Sequence, residues 1–151
     1  MERKGYLSDI KEAFQISPVL AILGPRQCGK TTLAREYFSS VSGEKQNYLD
    51  LESDLDVVRL ENPMLGLGDL QGLIVIDEIQ RAPDIFKALR VLVDKKLDQL
   101  YLILGSASRD LIRQSSETFA GRITYMELTP FHAREVSDIK ILWERGGLPP
   151  S

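Results

Sequence analysis

The sequence predicts an α/β domain in which helices cover both faces of a mostly parallel, five-stranded sheet. Five short apolar runs are continuous rather than alternating, which indicates strands that are buried on both faces. Helix-like patterns separate the later runs and would supply the crossover connections that parallel strands need. The length of 151 residues fits one domain, and 43% hydrophobic with 27% charged residues is an ordinary globular composition.

The elements follow in chain order from apolar periodicity and from glycine and proline. Apolar residues at helical spacing predict an N-terminal helix over 6–16, which Pro18 ends. The run at 19–23 predicts the first strand, which stops at Gly24, and 31–38 has a helical pattern. Further strands are predicted at 47–51, 73–76, 100–104 and 123–128, and the main further helices at 84–97 and 109–120.

The single predicted domain, 1–151, has three parts. Residues 1–17 form the N-terminal helical part, and 18–128 form the α/β core. Residues 129–151 are predicted as a C-terminal helical segment that ends in the turn Gly146-Gly147-Leu148-Pro149.

Charge and cysteine content exclude several classes of protein. The 19 basic and 22 acidic side chains leave a formal charge of −3, which gives no positive evidence for a nucleic-acid partner. The single cysteine, Cys28, cannot form an internal disulfide. No apolar run approaches the ~18 residues that cross a bilayer, and the N-terminus has no signal-peptide core. We therefore expect a cytoplasmic protein without a membrane partner.

The segment 24–31 fits the pattern G-x-x-x-x-G-K-[ST] at every fixed position, between a predicted strand and a predicted helix. Its glycines let successive backbone N–H groups turn inward around a phosphate, to which the helix adds its positive N-terminal end. Lys30 would bridge the β- and γ-phosphates, the Thr31 hydroxyl would hold Mg²⁺, and Thr32 would contact the α-phosphate. The predicted nucleotide-binding residues here are Gly24, Pro25, Arg26, Gln27, Cys28, Gly29, Lys30, Thr31 and Thr32.

Two carboxylates, Asp77 and Glu78, follow the apolar run at 73–76. Ligands of open α/β sheets bind at the carboxyl ends of strands, so Asp77 would hold Mg²⁺ through its water shell. Glu78 would orient or deprotonate the attacking water. The strand at 47–51 leaves room for a sheet in which another strand separates the two strands that carry these motifs. Together with Glu78, that arrangement favours hydrolysis over phosphoryl transfer to a small acceptor.

A set of motifs in this order resembles prokaryotic AAA+-type ATPases, the group related to STAND and archaeal-type ATPases. The resemblance implies the three-layer αβα sandwich of P-loop NTPases, with an AAA+-like core. The chain departs from the family in that we expect it to lack the helical lid. The resemblance covers nearly the whole chain and rests on Gly-Pro-Arg-Gln-x-Gly-Lys-Thr-Thr-Leu-Ala-Arg (24–35), Tyr-Leu-Asp-Leu-Glu (48–52), Asp-Glu-Ile-Gln-Arg-x-Pro (77–83), Gly-Ser-Ala-Ser (105–108), Ala-Gly-Arg (120–122), Leu-Thr-Pro (128–130) and Gly-Gly-Leu-Pro (146–149).

The resemblance also implies roles for two residues near the later strands. Ser106 matches the position of a polar residue that senses the γ-phosphate, although it could instead cap the next helix in competition with Ser108. Arg122 matches an arginine finger that acts on a neighbour's nucleotide, the alternative being a surface or salt-bridging arginine. Arg109 and Arg81 are weaker alternatives for the finger.

The resemblance further implies that Pro149 lies against the nucleotide, the alternative being a simple tight turn. Relatives of this group continue beyond this turn, so we expect a C-terminal domain to be absent from the chain. The expected partners are ATP, a second copy that meets the finger arginine, and that missing domain or another protein.

Two functions of different classes share these residues. One is an Mg²⁺-dependent ATPase core, in which Lys30, Glu78, Ser106 and Arg122 are catalytic. The other is a nucleotide-gated binding module with little or no turnover. A P-loop kinase is a third class, for which the sequence shows no arginine-rich lid after the fourth strand. ATP is favoured over GTP by the resemblance and because the guanine-reading pattern N-K-x-D is absent.

Overall fold

The computed structural model describes residues 3–25, 29–41, 47–82, 84–95 and 98–128. Within these residues, the five predicted strands and the main predicted helices are observed. The predicted helix over 84–97 is observed from Ile85 to Asp94. The elements are α1 (Arg3–Ile16), β1 (Val19–Leu23), α2 (Lys30–Val41), β2 (Tyr48–Asp50), α3 (Asp54–Arg59), α4 (Pro63–Gly68), β3 (Gly72–Asp77), α5 (Ile85–Asp94), β4 (Gln99–Gly105), α6 (Arg109–Phe119) and β5 (Ile123–Glu127).

The five strands form one sheet in the order β2-β3-β4-β1-β5, and every pairing is parallel. This confirms the predicted parallel sheet. It also confirms that another strand separates β1 from β3, although that strand is β4. The strand at 47–51 lies instead at the edge of the sheet, as β2. Leu23 pairs with Gly105 and Glu127, and Asp50 pairs with Asp77. Because Ile76 also pairs with Ile103, all five strands end at the same edge of the sheet.

Helices cover both faces of the sheet, which confirms the three-layer αβα sandwich. Side chains alternate between the faces of a strand, so each strand contributes to two separate cores. On one face Leu20, Ile22 and Val75 pack with the buried residues of α1 and α2. On the other face the strands pack against α4, α5 and α6. Each fully buried aliphatic side chain in these cores contributes about 1.5–3 kcal/mol.

Two short helices, α3 and α4, were not predicted and form part of the connection between β2 and β3. No residue of α3 is buried, and its apolar side chains, Leu55, Val57 and Val58, are exposed rather than forming a stripe that faces the core. In α4, Asn62 is the N-cap and Pro63 follows at the first turn. A Cβ at Gly66 would lie 2.5 Å from the Arg59 carbonyl oxygen, so the glycine allows the close approach of α4 to α3.

The predicted C-terminal segment over 129–151 and its Gly-Gly-Leu-Pro turn lie outside the described residues. Among the helices that the structure describes, none combines the length and the apolar character that crossing a membrane requires.

Candidate nucleotide-binding site

The loop after β1 opens directly into α2, at the carboxyl edge of the sheet. The Gly24 amide donates to the Gly105 carbonyl oxygen at 3.1 Å, which holds the start of the loop against the end of β4. Gly29 has φ +93°, a conformation that favours glycine, and its carbonyl oxygen accepts from the Leu33 amide in the first turn of α2. The strand–loop–helix context that the loop pattern requires is therefore present. Residues 26–28 lie outside the described residues.

Lys30 begins α2 and is 6% exposed, which is unusual for a lysine. Its Nζ donates to the carbonyl oxygens of Gly24 and Pro25, each at 2.8 Å. An ammonium has three donors, so a phosphate oxygen can take the third without breaking these two bonds. These two carbonyl groups thus hold the Lys30 ammonium beside the start of the loop.

Thr31 and Asp77 are brought together although they lie 46 residues apart in the chain. The Thr31 hydroxyl donates to Asp77 Oδ2 at 2.8 Å, which joins the start of α2 to the end of β3. Thr32, the next residue of α2, is exposed at this end of the helix.

Asp77 is 4% exposed, and its two oxygens have different surroundings. Oδ2 accepts from Thr31 and from the Tyr48 hydroxyl, whereas Oδ1 is buried with no hydrogen-bond partner among the described residues. A buried carboxylate oxygen without a donor is costly unless a cation or its water satisfies it. Mg²⁺ takes few protein ligands, prefers oxygen and keeps several waters, so this carboxylate and hydroxyl fit that ion.

Tyr48 belongs to this site, although no role was predicted for it from the sequence. Its hydroxyl donates to Asp77 Oδ2 at 2.9 Å, and Arg35 of α2 lies over its ring at 4.1 Å from the ring centroid. Burial, the Asp77 charge and the hydrogen bond to Asp77 raise the pKa of the Tyr48 phenol well above its usual value. The phenol therefore remains a neutral donor. The signal in the sequence that could have indicated this contact was a tyrosine on a predicted strand. In the structure that strand neighbours β3, and the Tyr48 side chain lies on the face of the sheet that carries α2.

Glu78 has a left-handed backbone, with φ +62° and ψ +45°, and it is the one non-glycine residue with positive φ among those described. A short 3-10 helix, Ile79–Arg81, follows it. The turn brings the Gln80 side chain back toward Glu78, whose Oε1 accepts from Gln80 Nε2 at 2.6 Å. Gln80 Oε1 in turn accepts from the Ser106 amide at 3.2 Å, at the end of β4. The structure thus brings Glu78 and Ser106 together through Gln80, a second residue that the sequence left without a role.

Ser108, not Ser106, is the N-cap of α6. Its hydroxyl accepts from the Leu111 amide at 3.1 Å, so the competition between these two serines for the cap is decided by geometry. Ser106 lies between the end of β4 and that cap.

The structure does not bring Arg122 to these residues. Arg122 precedes β5 and lies at the amino edge of the sheet, where its Nη1 pairs with Asp94 Oδ1 at 2.8 Å. Asp94 also accepts from Arg90 at 3.0 Å. Salt bridging, the alternative to a finger, is thus the arrangement observed in this chain. Arg81 and Arg109 are both exposed, and Pro149 lies outside the described residues.

A parallel αβα sandwich with this loop between β1 and α2, and with a threonine–aspartate contact across two elements, defines a P-loop ATPase-type domain. A family described as an AAA domain matches residues 17–137. The chain belongs to that family.

Individual proteins resemble this chain in sequence or in fold. Two uncharacterized proteins, from Mycobacterium bovis and Mycobacterium tuberculosis, are each 46% identical over 154 residues. The alignments cover 100% of this chain but 34% of each relative, so the chain spans about a third of their length. A Walker-type ATPase of Pyrococcus abyssi superposes with a TM-score of 0.62 at 14% identity, over 98% of this chain and 59% of that one, which shows a shared fold.

Proposed function

We propose that this chain binds ATP with Mg²⁺ and hydrolyses the bond between the β- and γ-phosphates. The observation that carries the proposal is the Asp77 carboxylate. It is buried at the end of β3, holds the Thr31 hydroxyl with one oxygen and has no hydrogen-bond partner among the described residues for the other. Such an arrangement suits a hydrated cation beside a triphosphate.

The loop from Gly24 to Thr31 would bind the phosphates. Its backbone N–H groups and the start of α2 would face the phosphate oxygens, and the third donor of Lys30 would reach the β- and γ-phosphates. Thr31 and Asp77 would hold Mg²⁺, which when bound neutralises charge on the phosphate oxygens. Arg26, Gln27, Cys28, Thr32 and Pro149 remain proposed nucleotide contacts.

Glu78 would act on the attacking water, since it lies one residue beyond Asp77. The water oxygen bonds to the γ-phosphorus, the bond from that phosphorus to the β–γ bridging oxygen breaks, and ADP and inorganic phosphate leave. The proton from the water passes to the Glu78 carboxylate. The Ser106 hydroxyl, at the end of β4, would donate to a γ-phosphate oxygen.

Arg122 is proposed to act on the nucleotide of a second copy. Its place at the amino edge of the sheet excludes contact with the phosphates of its own chain, and assembly would have to release it from Asp94. A further segment or another protein is also proposed as a partner, because the curated relatives are about three times as long. The single cysteine suits a reducing compartment, so the cytoplasm remains the proposed location.

A second candidate is a nucleotide-gated binding module with little turnover. The ion pair between Arg122 and Asp94 favours it, because an isolated chain keeps this arginine engaged away from the phosphates. The two candidates share the binding residues and differ in the rate of phosphate release.

Binding and turnover measured on the same variants test the proposal. Glu78→Gln keeps the size of the side chain but removes the base, so we expect ATP binding to persist while phosphate release falls about 100-fold or more. Lys30→Ala is expected to weaken Mg-ATP binding itself. Equal phosphate release by Glu78→Gln and the unchanged protein would contradict the proposed role of Glu78.

A further inference from the structure

We infer that Gln80 is a positioning residue, which holds the Glu78 carboxylate in place and ties it to the end of β4 at Ser106. The inference rests on the proposed function, because it concerns the residue that is proposed to activate water. The Gln80 side chain lies between Glu78 and Ser106, and its proposed role requires no contact with a phosphate.

Both the nitrogen and the oxygen of the Gln80 side-chain amide form hydrogen bonds. Nε2 donates to Glu78 Oε1 at 2.6 Å, and Oε1 accepts from the Ser106 amide at 3.2 Å. A carboxylate only accepts and a backbone N–H only donates, so these two partners fix which end of the amide faces which group. An amide side chain is the kind that satisfies both partners at this position, whereas a carboxylate or an amine would satisfy one.

The backbone at Glu78 is arranged for this contact. The left-handed conformation at φ +62° is disfavoured for a side chain with a Cβ, and such conformations persist where the surrounding structure holds them. The amide of Arg81 donates to the Glu78 carbonyl oxygen at 3.0 Å, which closes the turn. The turn places the side chain two residues later beside the carboxylate.

The end of β4 leaves room for Gln80. A Cβ at Gly105 would lie 2.9 Å from Gln80 Oε1 and 2.7 Å from Ile79 Cγ2, closer than real Cβ contacts. Gly105 has an ordinary backbone conformation and lies on a regular strand, so the need for glycine comes from these neighbours. The absence of a side chain at Gly105 of β4 therefore leaves the space that the Gln80 amide occupies.

The arrangement would serve the reaction by restricting Glu78. With Oε1 held by Gln80, the other carboxylate oxygen is left as the acceptor for water, and the rotation of the carboxylate is limited. Because the same amide binds the Ser106 backbone, Glu78 and the γ-phosphate contact proposed for Ser106 cannot shift independently. Misplacement of a reacting group by about 1 Å can slow a reaction about 100-fold.

The test compares Gln80→Met and Gln80→Glu with the matched control Gln114→Met. Gln80→Met removes both hydrogen bonds, and Gln80→Glu keeps an acceptor for Ser106 while removing the donor to Glu78. Gln114 is an exposed glutamine of α6. We measure kcat for phosphate release from Mg-ATP, the Kd of Mg-ATP and the melting temperature of each protein.

The expected result is a kcat about 10- to 100-fold lower in both Gln80 variants, with Kd and melting temperature unchanged and no effect of Gln114→Met. An unchanged kcat in the Gln80 variants overturns the inference and leaves the proposed function standing. A loss of kcat that accompanies a weaker Kd and a lower melting temperature also overturns it, because Gln80 is then structural. If the unchanged protein binds Mg-ATP but releases no phosphate, both the inference and the proposed function fail.

Discussion

At the scale of single residues, the two carboxylate oxygens of Asp77 define the site, because one has hydrogen-bond donors and the other has none among the described residues. Asp77 Oδ2 has two donors, Thr31 and Tyr48, so that oxygen is fixed in place. The fixed geometry leaves Oδ1 as the oxygen that a hydrated cation would approach. Tyr48 would therefore influence a bound Mg²⁺ through the carboxylate to which it donates.

Tyr48→Phe is expected to weaken the Mg²⁺ dependence of ATP binding about tenfold. A hydrogen bond to a charged group contributes about 1.5–3 kcal/mol, and groups that orient a metal ligand typically change metal affinity about 10- to 100-fold. The measurement is ATP binding titrated with Mg²⁺. Tyr37→Phe is the control, since Tyr37 is also a buried tyrosine but stacks on Phe14. A Mg²⁺ dependence that Tyr48→Phe leaves unchanged would contradict the role of the hydroxyl.

The left-handed backbone of Glu78 makes a separate prediction about stability. That conformation is unfavourable by about 1–2 kcal/mol for a residue with a Cβ, while the flexibility of an unfolded glycine offsets about 0.4–1 kcal/mol. Glu78→Gly should therefore be more stable than Glu78→Ala by about 0.5–1 kcal/mol in urea unfolding, although both lack the carboxylate. An alanine variant as stable as the glycine variant would show that the backbone changes its conformation when the side chain is lost.

At the scale of elements, α6 distinguishes the two serines that follow β4. Ser108→Ala should lower the free energy of unfolding by about 1 kcal/mol, because the N-cap acceptor for the Leu111 amide is lost. The same variant should keep its Mg-ATP binding. Ser106→Ala should show the reverse, with stability kept and phosphate release reduced. Loss of stability in Ser106→Ala alone would contradict the assignment of the cap.

The elements also show how far the sequence could predict the fold. Strands β1, β3 and β4 were predictable because they are buried on both faces and therefore read as continuous apolar runs. Helices α3 and α4 were not, because six residues cover less than two turns and Leu67 is the single buried residue of the two helices. The 3-10 turn between β3 and α5 was not predictable either, because it depends on a left-handed conformation at Glu78, where a glycine would have been the usual signal.

Some contacts of the candidate site were also predictable from the sequence, and others were not. The contact between Thr31 and Asp77 follows from motifs with a fixed spacing and a fixed place in the sheet. The contacts of Tyr48 and Gln80 depend on the register of β2 against β3 and on the turn after β3. Neither can be read from residue types, and both are local consequences of tertiary packing.

At the scale of the whole molecule, tyrosines with raised pKa values make the free energy of unfolding fall at alkaline pH. Burial raises the pKa of Tyr37, Tyr101 and Tyr125 above the ordinary value, as it does for Tyr48. Above about pH 10 the unfolded chain loses these protons while the folded chain keeps them. The unfolded state then binds fewer protons, so the free energy of unfolding falls as pH rises.

Urea unfolding between pH 8 and pH 11 checks this expectation. We expect tyrosine deprotonation to change the free energy of unfolding little up to about pH 9. Above about pH 10 the free energy of unfolding should fall more steeply with pH. Tyr101→Phe should reduce the slope, because Tyr101 is fully buried and its hydroxyl donates to Gln99. A free energy of unfolding that stays constant to pH 11 would contradict the burial of these phenols.

The whole molecule also determines whether one chain is enough for turnover. Lys30, Asp77, Glu78 and Ser106 lie at the carboxyl edge of the sheet, whereas Arg122 lies at the amino edge with Asp94. A complete site on this account needs the arginine of a second copy. Specific activity should therefore depend on the concentration of the protein.

Phosphate release from Mg-ATP across a range of protein concentrations is the most direct measurement, with Lys30→Ala as the blank and ATP binding measured in parallel. We predict release above the blank, with a specific activity that rises with the concentration of the protein. A chain that binds ATP through Lys30 and releases no phosphate at any concentration would contradict hydrolysis and identify a nucleotide-gated binding module.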